Sequence, residues 1–220
     1  TLNTSTYYCV AKASGTITSE TCKCGRIYAT TLSDTQYAVE GQIPWQVALH
    51  YFRNNRYLFF CGGAILNERY VATAAHCLNK EMKITVTLTV GSLDIERGYQ
   101  RFEIEKYWRH EGYDPNSYYN DITLVKTKKH FQFNDQIYPI CLPRHSMTET
   151  FEGVNFVISG FGKTSDRGTL SRYMHWKIVT GWAQSDCVNA YIEGRIIDSM
   201  LCANRYRVDS CEGDSGGALV

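Results

Sequence analysis

The chemistry of this sequence concentrates near its carboxyl end, where a serine is flanked by glycines in Gly213-Asp214-Ser215-Gly216-Gly217. Glycine on both sides lets the backbone turn sharply, exposing the hydroxyl and aiming consecutive N–H groups at one point, a geometry that suits a nucleophile with an oxyanion hole. A hydroxyl is a weak nucleophile alone, so the reading demands a histidine base and an acid to orient it. Both are available. His76 sits in Ala72-Thr73-Ala74-Ala75-His76-Cys77, where small neighbours leave room around an imidazole, and Asp121 opens the apolar run Ile122-Thr123-Leu124-Val125, where a carboxylate is otherwise out of place. Singly, each has an ordinary alternative: a surface histidine, a turn aspartate, a glycine loop. Together, in the order His76, Asp121, Ser215, they point to a Ser-His-Asp hydrolase.

The Gly-x-Ser-x-Gly spacing also fits the nucleophile elbow of an α/β-hydrolase. That fold places its acid and histidine after the serine, whereas here both precede it. A parallel-sheet hydrolase also needs alternating helices, and the sequence shows few.

The elements that must position these residues read as β. The 220 residues are 44% hydrophobic, enough for a buried core. Residues 43–49 and 57–61 are short, aromatic and β-branched, with Arg53-Asn54-Asn55-Arg56 as a polar turn between them, which predicts a hairpin. Similar runs at 84–90, 122–125, 156–158 and 176–179 are separated by turns containing Gly91, Gly98, Asp114-Pro115, Gly160 and Gly168. Only 70–78 and 185–191 read as helical. The fold class is therefore all-β, an antiparallel sandwich or pair of barrels. Residues 1–31, rich in Thr and Ser without an apolar period, read as the end of an upstream module plus a linker.

Charge and cysteines bound the function. Lys and Arg number 23 against 22 Asp and Glu, a net charge of +1, so neither nucleic acid nor an anionic membrane is an expected partner. No apolar run has the length of a membrane helix, and Thr1 to Thr6 carries no signal-peptide character, so an export signal is expected outside these residues. The nine cysteines contain one close pair, Cys22-Lys23-Cys24, too few for a zinc site. The others, Cys9, Cys61, Cys77, Cys141, Cys187, Cys202 and Cys211, are spread as disulfide partners are in a secreted protein, and an odd total leaves one over. No metal and no cofactor are expected.

From about Leu32 onward the sequence resembles the chymotrypsin/trypsin family of serine proteases. The matching segments are Pro44-Trp45-Gln46-Val47, Cys61-Gly62-Gly63, Thr73-Ala74-Ala75-His76-Cys77, Asn120-Asp121-Ile122, Ile140-Cys141-Leu142-Pro143, Gly160-Phe161-Gly162 and the stretch from Asp209 to Gly217. The resemblance implies two antiparallel six-stranded β-barrels with the site in the cleft between them. It implies Ser215 as nucleophile, His76 as general base then acid, Asp121 orienting the imidazole, and the N–H groups of Gly213 and Ser215 as oxyanion hole. Asp209 matches the base of the primary specificity pocket, implying cleavage after Arg or Lys. The pairings implied are Cys61 with Cys77, Cys187 with Cys202, and Cys141 with Cys22 or Cys24. The sequence stops where family members continue, so the second barrel is expected to be incomplete, with the partner of Cys211 beyond it and an exposed edge. Residues 32–220 are the expected protease domain. Tyr7-Tyr8-Cys9 and the Cys22-Lys23-Cys24-Gly25 that follows are similar to the junction of arthropod CUB-serine proteases of haemolymph and venom.

Family zymogens are cut after a basic residue, and the new Ile or Val amino group pairs with the acid before the catalytic serine, here Asp214. Counting back from Pro44 gives Leu32 as the aligned start, but Thr31 precedes it. Arg26-Ile27 has the right cleavage chemistry and is the preferred activation bond. The stretch aligned with the family's calcium loop, Gly91 to Glu96, lacks an acid directly after the glycine. The resulting expectation is a secreted, monomeric serine endopeptidase acting on proteins or peptides and open to serpin-type or other protease inhibitors; the alternative is a non-catalytic binding or regulatory protein on the same fold.

Overall fold

Residues 7–9, 23–28, 37–78, 85–143, 150–164, 168–204 and 212–220 are described by the structure, a computed structural model. Strands β1 (Tyr7–Cys9) and β2 (Arg26–Tyr28) form a small antiparallel pair within the stretch read as linker. Strands β3 (Gln46–Arg53), β4 (Arg56–Ile65), β5 (Tyr70–Thr73), β6 (Val86–Val90), β7 (Gln100–Arg109) and β8 (Thr123–Thr127) close into an antiparallel barrel in the order β3-β4-β5-β8-β7-β6. A second sheet contains, among the described residues, β9 (Asn155–Gly160), β10 (His175–Gly181) and β11 (Ala203–Asn204), with β10 central. The last residues lie along β9, Val157 and Val220 exchanging both backbone hydrogen bonds at 2.6 and 3.1 Å. The helix α1 (Gln184–Ala190) follows β10, and no described helix is long and apolar enough to cross a membrane. One closed barrel and a second, partial sheet are the all-β architecture the sequence implies.

The hairpin at β3 and β4 turns at Asn54 and Asn55, which have φ of 50° and 61°. A type I′ two-residue hairpin loop needs two positive φ angles, and Asn tolerates them better than most residues. Register then builds the core. Val47 lies opposite Val90, Leu49 opposite Leu88, Ile65 opposite Val71, and Val71 opposite Val125, and all seven side chains are buried. Each such side chain stabilises the barrel by about 2 kcal/mol. Strand β3 is buried on both faces through His50 because its outer face meets the second sheet. There Ser159 Oγ donates to Gln46 Oε1 at 2.9 Å in a buried bond, and the rings of Phe59 and Phe161 meet edge to face.

A second seam joins the loop 91–98 to the segment before β10. Ile95 N–H donates to the Arg172 carbonyl and Met174 N–H to the Leu93 carbonyl, both at 2.9 Å. Across it the Arg172 guanidinium forks onto both oxygens of Asp94 at 2.8 to 3.1 Å and reaches Glu96 at 2.9 Å. This pairing holds the Asp94 carboxyl below its ordinary pKa.

Two local readings require correction. Residues 70–78 are not helical: Tyr70–Thr73 is β5, paired on both sides, and 74–78 is a turn. The alanines there favour a helix intrinsically, but pairing with β4 and β8 and the complete burial of Val71 override that preference. Strand β7, ten residues long, escaped the pattern reading because a bulge between Ile104 and Lys106 breaks its alternation.

His50 gives the barrel a pH dependence. It is buried beside Phe59, Tyr99 and Thr89, and desolvation followed by the nearby Arg101 charge lowers its pKa from 6.5 to about 4. The fold thus prefers neutral imidazole, and between these values the unfolded chain binds more protons than the folded one. Stability should be fully present above pH 6.5 and decline by on the order of 3 kcal/mol as pH falls to about 4. Urea titrations across that range should show the slope shrink in His50→Gln; an unchanged slope would place the acid sensitivity elsewhere.

Candidate active site

Strand register brings two of the predicted site residues together. Thr73 at the end of β5 lies opposite Thr123 at the start of β8. The chain leaving β5 toward His76 therefore runs beside the chain entering β8 from Asp121. Asp121 Oδ2 lies 2.7 Å from His76 Nδ1, and its Oδ1 accepts the backbone N–H of His76 at 2.9 Å. The carboxylate thus holds both the ring and the backbone of one residue. It also places the imidazole proton on Nδ1, leaving the Nε2 lone pair free to accept a proton. His76 keeps 34% of its side chain exposed, so a substrate can reach it.

The turn 74–78 is fixed at its base. Cys77 and Leu78 donate backbone N–H groups to the carbonyls of Ala74 and Ala75, and Cys77 is disulfide-bonded to Cys61 on β4. Thr73 Oγ1 donates to the Gly62 carbonyl at 2.8 Å. The next link reaches the serine: Gly62 N–H donates to the Ser215 carbonyl at 2.7 Å. The Cys77 sulfur lies 3.7 Å from both His76 Nε2 and the Ser215 carbonyl oxygen, so serine and histidine share one corner of the cleft. Hydrogen bonds join His76 to Asp121, but among the described residues none joins the Ser215 hydroxyl to His76. Such bonds are commonly formed only with substrate bound.

The glycines around Ser215 are required by space. Gly216 has φ of +83°, and a Cβ there would lie 2.4 Å from Thr73 Oγ1 and 2.6 Å from the Gly62 carbonyl. Gly213 is buried with φ of +102°, and a Cβ would meet Leu170 at 2.7 Å. Asp214 rests against Gly160 and Gly162, and its Oδ1 accepts the Gly162 N–H at 2.8 Å.

The other predicted residues lie elsewhere or outside the description. Arg26 and Ile27 sit in β2, where Gly25 N–H donates to the Pro139 carbonyl at 2.8 Å, the Arg26 guanidinium lies over the Tyr138 ring, and Ile27 packs on the core. Cys141 is bonded to Cys24, which selects between the two expected partners, and Cys187 is bonded to Cys202. Asp209, Cys211, Cys22 and Leu32 lie outside the described residues. Cys61, His76 and Cys77 offer ligand atoms within 4.8 Å of one another. The two sulfurs are bonded to each other, so neither is a thiolate able to bind metal. One neighbour escaped the sequence reading: Tyr118, whose ring meets the His76 ring edge-on with centroids 5.8 Å apart. Its only signal is the aromatic run Tyr118-Tyr119 just before Asn120-Asp121.

The sequence profile described as Trypsin matches residues 33–220. The clotting factor G beta subunit of Tachypleus tridentatus is 31% identical over 194 residues, which cover 80% of this chain and 61% of that protein. Trypsin-1 of Astacus astacus is 33% identical, with 83% of this chain and 79% of that protein covered. The Spaetzle-processing enzyme of Drosophila melanogaster is 32% identical, the match covering 90% of this chain and 56% of that protein. Among solved structures, neuropsin, a serine protease expressed in the limbic system of mouse brain, aligns with a TM-score of 0.74 at 27% identity, over 85% of this chain and 81% of that chain.

Proposed function

The chain belongs to the trypsin family of serine proteases, and on that premise we propose that it is an extracellular endopeptidase using Ser215, His76 and Asp121. The observation that carries this reading is the 2.7 Å contact of Asp121 with His76 Nδ1, beside the glycine-flanked turn of Ser215. In the first half-reaction Ser215 Oγ attacks the scissile carbonyl while its proton passes to His76 Nε2. Charge grows on the carbonyl oxygen, toward which the N–H groups of Gly213 and Ser215 point, and on the imidazolium, which Asp121 stabilises. Collapse breaks the C–N bond, His76 returns the proton to the leaving amine, and an ester to Ser215 remains. Water then repeats the sequence and restores the serine.

Residue by residue, Asp209 supplies a carboxylate for a substrate Arg or Lys, giving cleavage after basic residues. Residues 32–220 form the protease unit, and 1–31 are the end of an upstream module with its linker. The enzyme is a zymogen cut between Arg26 and Ile27. Proteins are its substrates, in keeping with its relatives; it is a monomer open to protein protease inhibitors. The three described disulfides favour an oxidising, extracellular setting.

A fluorophosphonate probe tests the assignment. Full-length protein treated with trypsin and then freed of it should be labelled at Ser215, and Ser215→Ala should carry no label. Profiling the labelled enzyme on a peptide library should return Arg and Lys before the cut bond. Equal labelling of the mutant would remove Ser215 as nucleophile, and cut protein without label or turnover would favour the non-catalytic alternative.

A further inference from the structure

The loop 110–122 carries Tyr118 and Asp121 to His76, yet its tip is held from the other side of the cleft. Within the loop, Tyr118 N–H donates to the Asp114 carbonyl at 2.8 Å, the Asp114 carboxylate accepts from Asn116 N–H and the Ser117 hydroxyl, and Asn120 Nδ2 donates to the Gly112 carbonyl at 2.9 Å. Its base is closed by His110 N–H on the Ile122 carbonyl at 3.0 Å. Among the described residues, the hydrogen bonds by which residues 113–119 leave the 110–122 loop go to neither β7 nor β8. They go to the segment after α1: the Tyr119 hydroxyl donates to the Gly194 carbonyl, and Arg195 Nη1 donates to the Asn116 carbonyl at 3.0 Å.

Two features make these contacts consequential. Tyr118 and Asn120, on either side of Tyr119, have φ of 61° and 55°; Asn accepts such backbone readily, but a bulky residue such as Tyr118 holds it only when its surroundings enforce it. Gly194 and Arg195 lie inside the stretch closed by the Cys187–Cys202 disulfide, so the far end of the bridge is anchored. Resting on the reading of His76 as base and Asp121 as its orienting acid, we propose that Arg195 and Tyr119 are positioning residues, a bridge from the segment after α1 that holds the 110–122 loop so that Tyr118 and Asp121 keep the imidazole in its working orientation.

Neither residue touches the reacting atoms, so the effect is on the rate of attack. In cut full-length protein, Arg195→Ala combined with Tyr119→Phe should slow fluorophosphonate labelling of Ser215 about threefold to tenfold, the scale of one or two hydrogen bonds. KM for a short peptide should stay unchanged, because the bridge does not contact it. Arg195→Lys, which keeps a donor toward Asn116, should recover most of the rate. Hydrogen exchange gives a readout independent of catalysis: the Tyr118 amide should exchange faster in the double variant and return toward wild type with Arg195→Lys. Should the double variant fold poorly, Tyr119→Phe alone should shift both readouts in the same direction. Unchanged labelling and exchange, or a lowered Tm with normal labelling, would overturn the proposal. If wild-type protein takes no label at all, the assignment of the site fails, and faster exchange would still show that the bridge orders the loop.

Discussion

His76→Ala should lower kcat on a peptide substrate by about 10⁴-fold or more, with KM little changed. Without the imidazole, the proton leaving Ser215 Oγ passes to water, and no group returns it to the departing amine. Asp121 cannot substitute, because it meets the ring at Nδ1, on the far side from the Nε2 that takes the serine proton, and its Oδ1 stays tied to the backbone N–H of residue 76. What survives is the stabilisation of the oxyanion by backbone N–H groups and whatever binding the cleft provides. Residues acting as a unit are strongly non-additive, so the double variant Ser215→Ala with His76→Ala should be hardly slower than either single change. Stopped-assay kinetics on the purified variants decide this. Full multiplication of the two losses would mean that serine and histidine act separately, and a His76→Ala rate near wild type would dismiss the imidazole as base.

Asp214→Asn should leave the Arg26-Ile27 bond cleavable yet keep activity about 10² to 10³-fold below that of cut wild type. A new ammonium at Ile27 leaves water only if a carboxylate compensates it, and removing one partner of a buried pair costs about 3 to 5 kcal/mol. In the uncut chain Asp214 Oδ1 already accepts the Gly162 N–H, and Ile27 packs on the core from β2. On the proposed Arg26-Ile27 route, activation requires β2, only three residues long, to leave β1. Set against Leu32, a start at Ile27 adds five residues, which a surface loop absorbs at small entropic cost. Amino-terminal sequencing beside an activity assay separates the cases. Leu32 at the terminus of the active enzyme would reject Arg26-Ile27, and full activity in cut Asp214→Asn would reject the ion pair.

Much of the barrel was legible because its strands alternate or are flanked by unambiguous turns, as at Asn54-Asn55. What escaped was decided by partners distant in sequence. Residues 70–73 run directly into the alanines at 72, 74 and 75, which blur their strand character until β4 and β8 flank them, and β7 loses its period at a bulge. The site divides similarly. His76, Asp121 and Ser215 were visible because their neighbours are small or apolar, so each polar residue stands out. Tyr118 and Arg195 did not, since loop conformation at positive φ and contacts between segments 75 and 79 residues apart leave no local pattern. The choice of Cys24 over Cys22 for Cys141 likewise needed coordinates, because the two cysteines are one residue apart in sequence.

That choice bears on what proteolysis would release. Cys24 lies just before the Arg26-Ile27 bond, and Cys141, 117 residues after Cys24, lies beyond it on the barrel side. A cut after Arg26 divides the chain without dividing the molecule. Residues 1–26 stay covalently tethered to the newly active body, and the product separates into two pieces only under reduction. On the proposed route, any surface or partner bound by the amino-terminal piece would keep hold of the cut protein, confining hydrolysis to that place instead of letting it diffuse away.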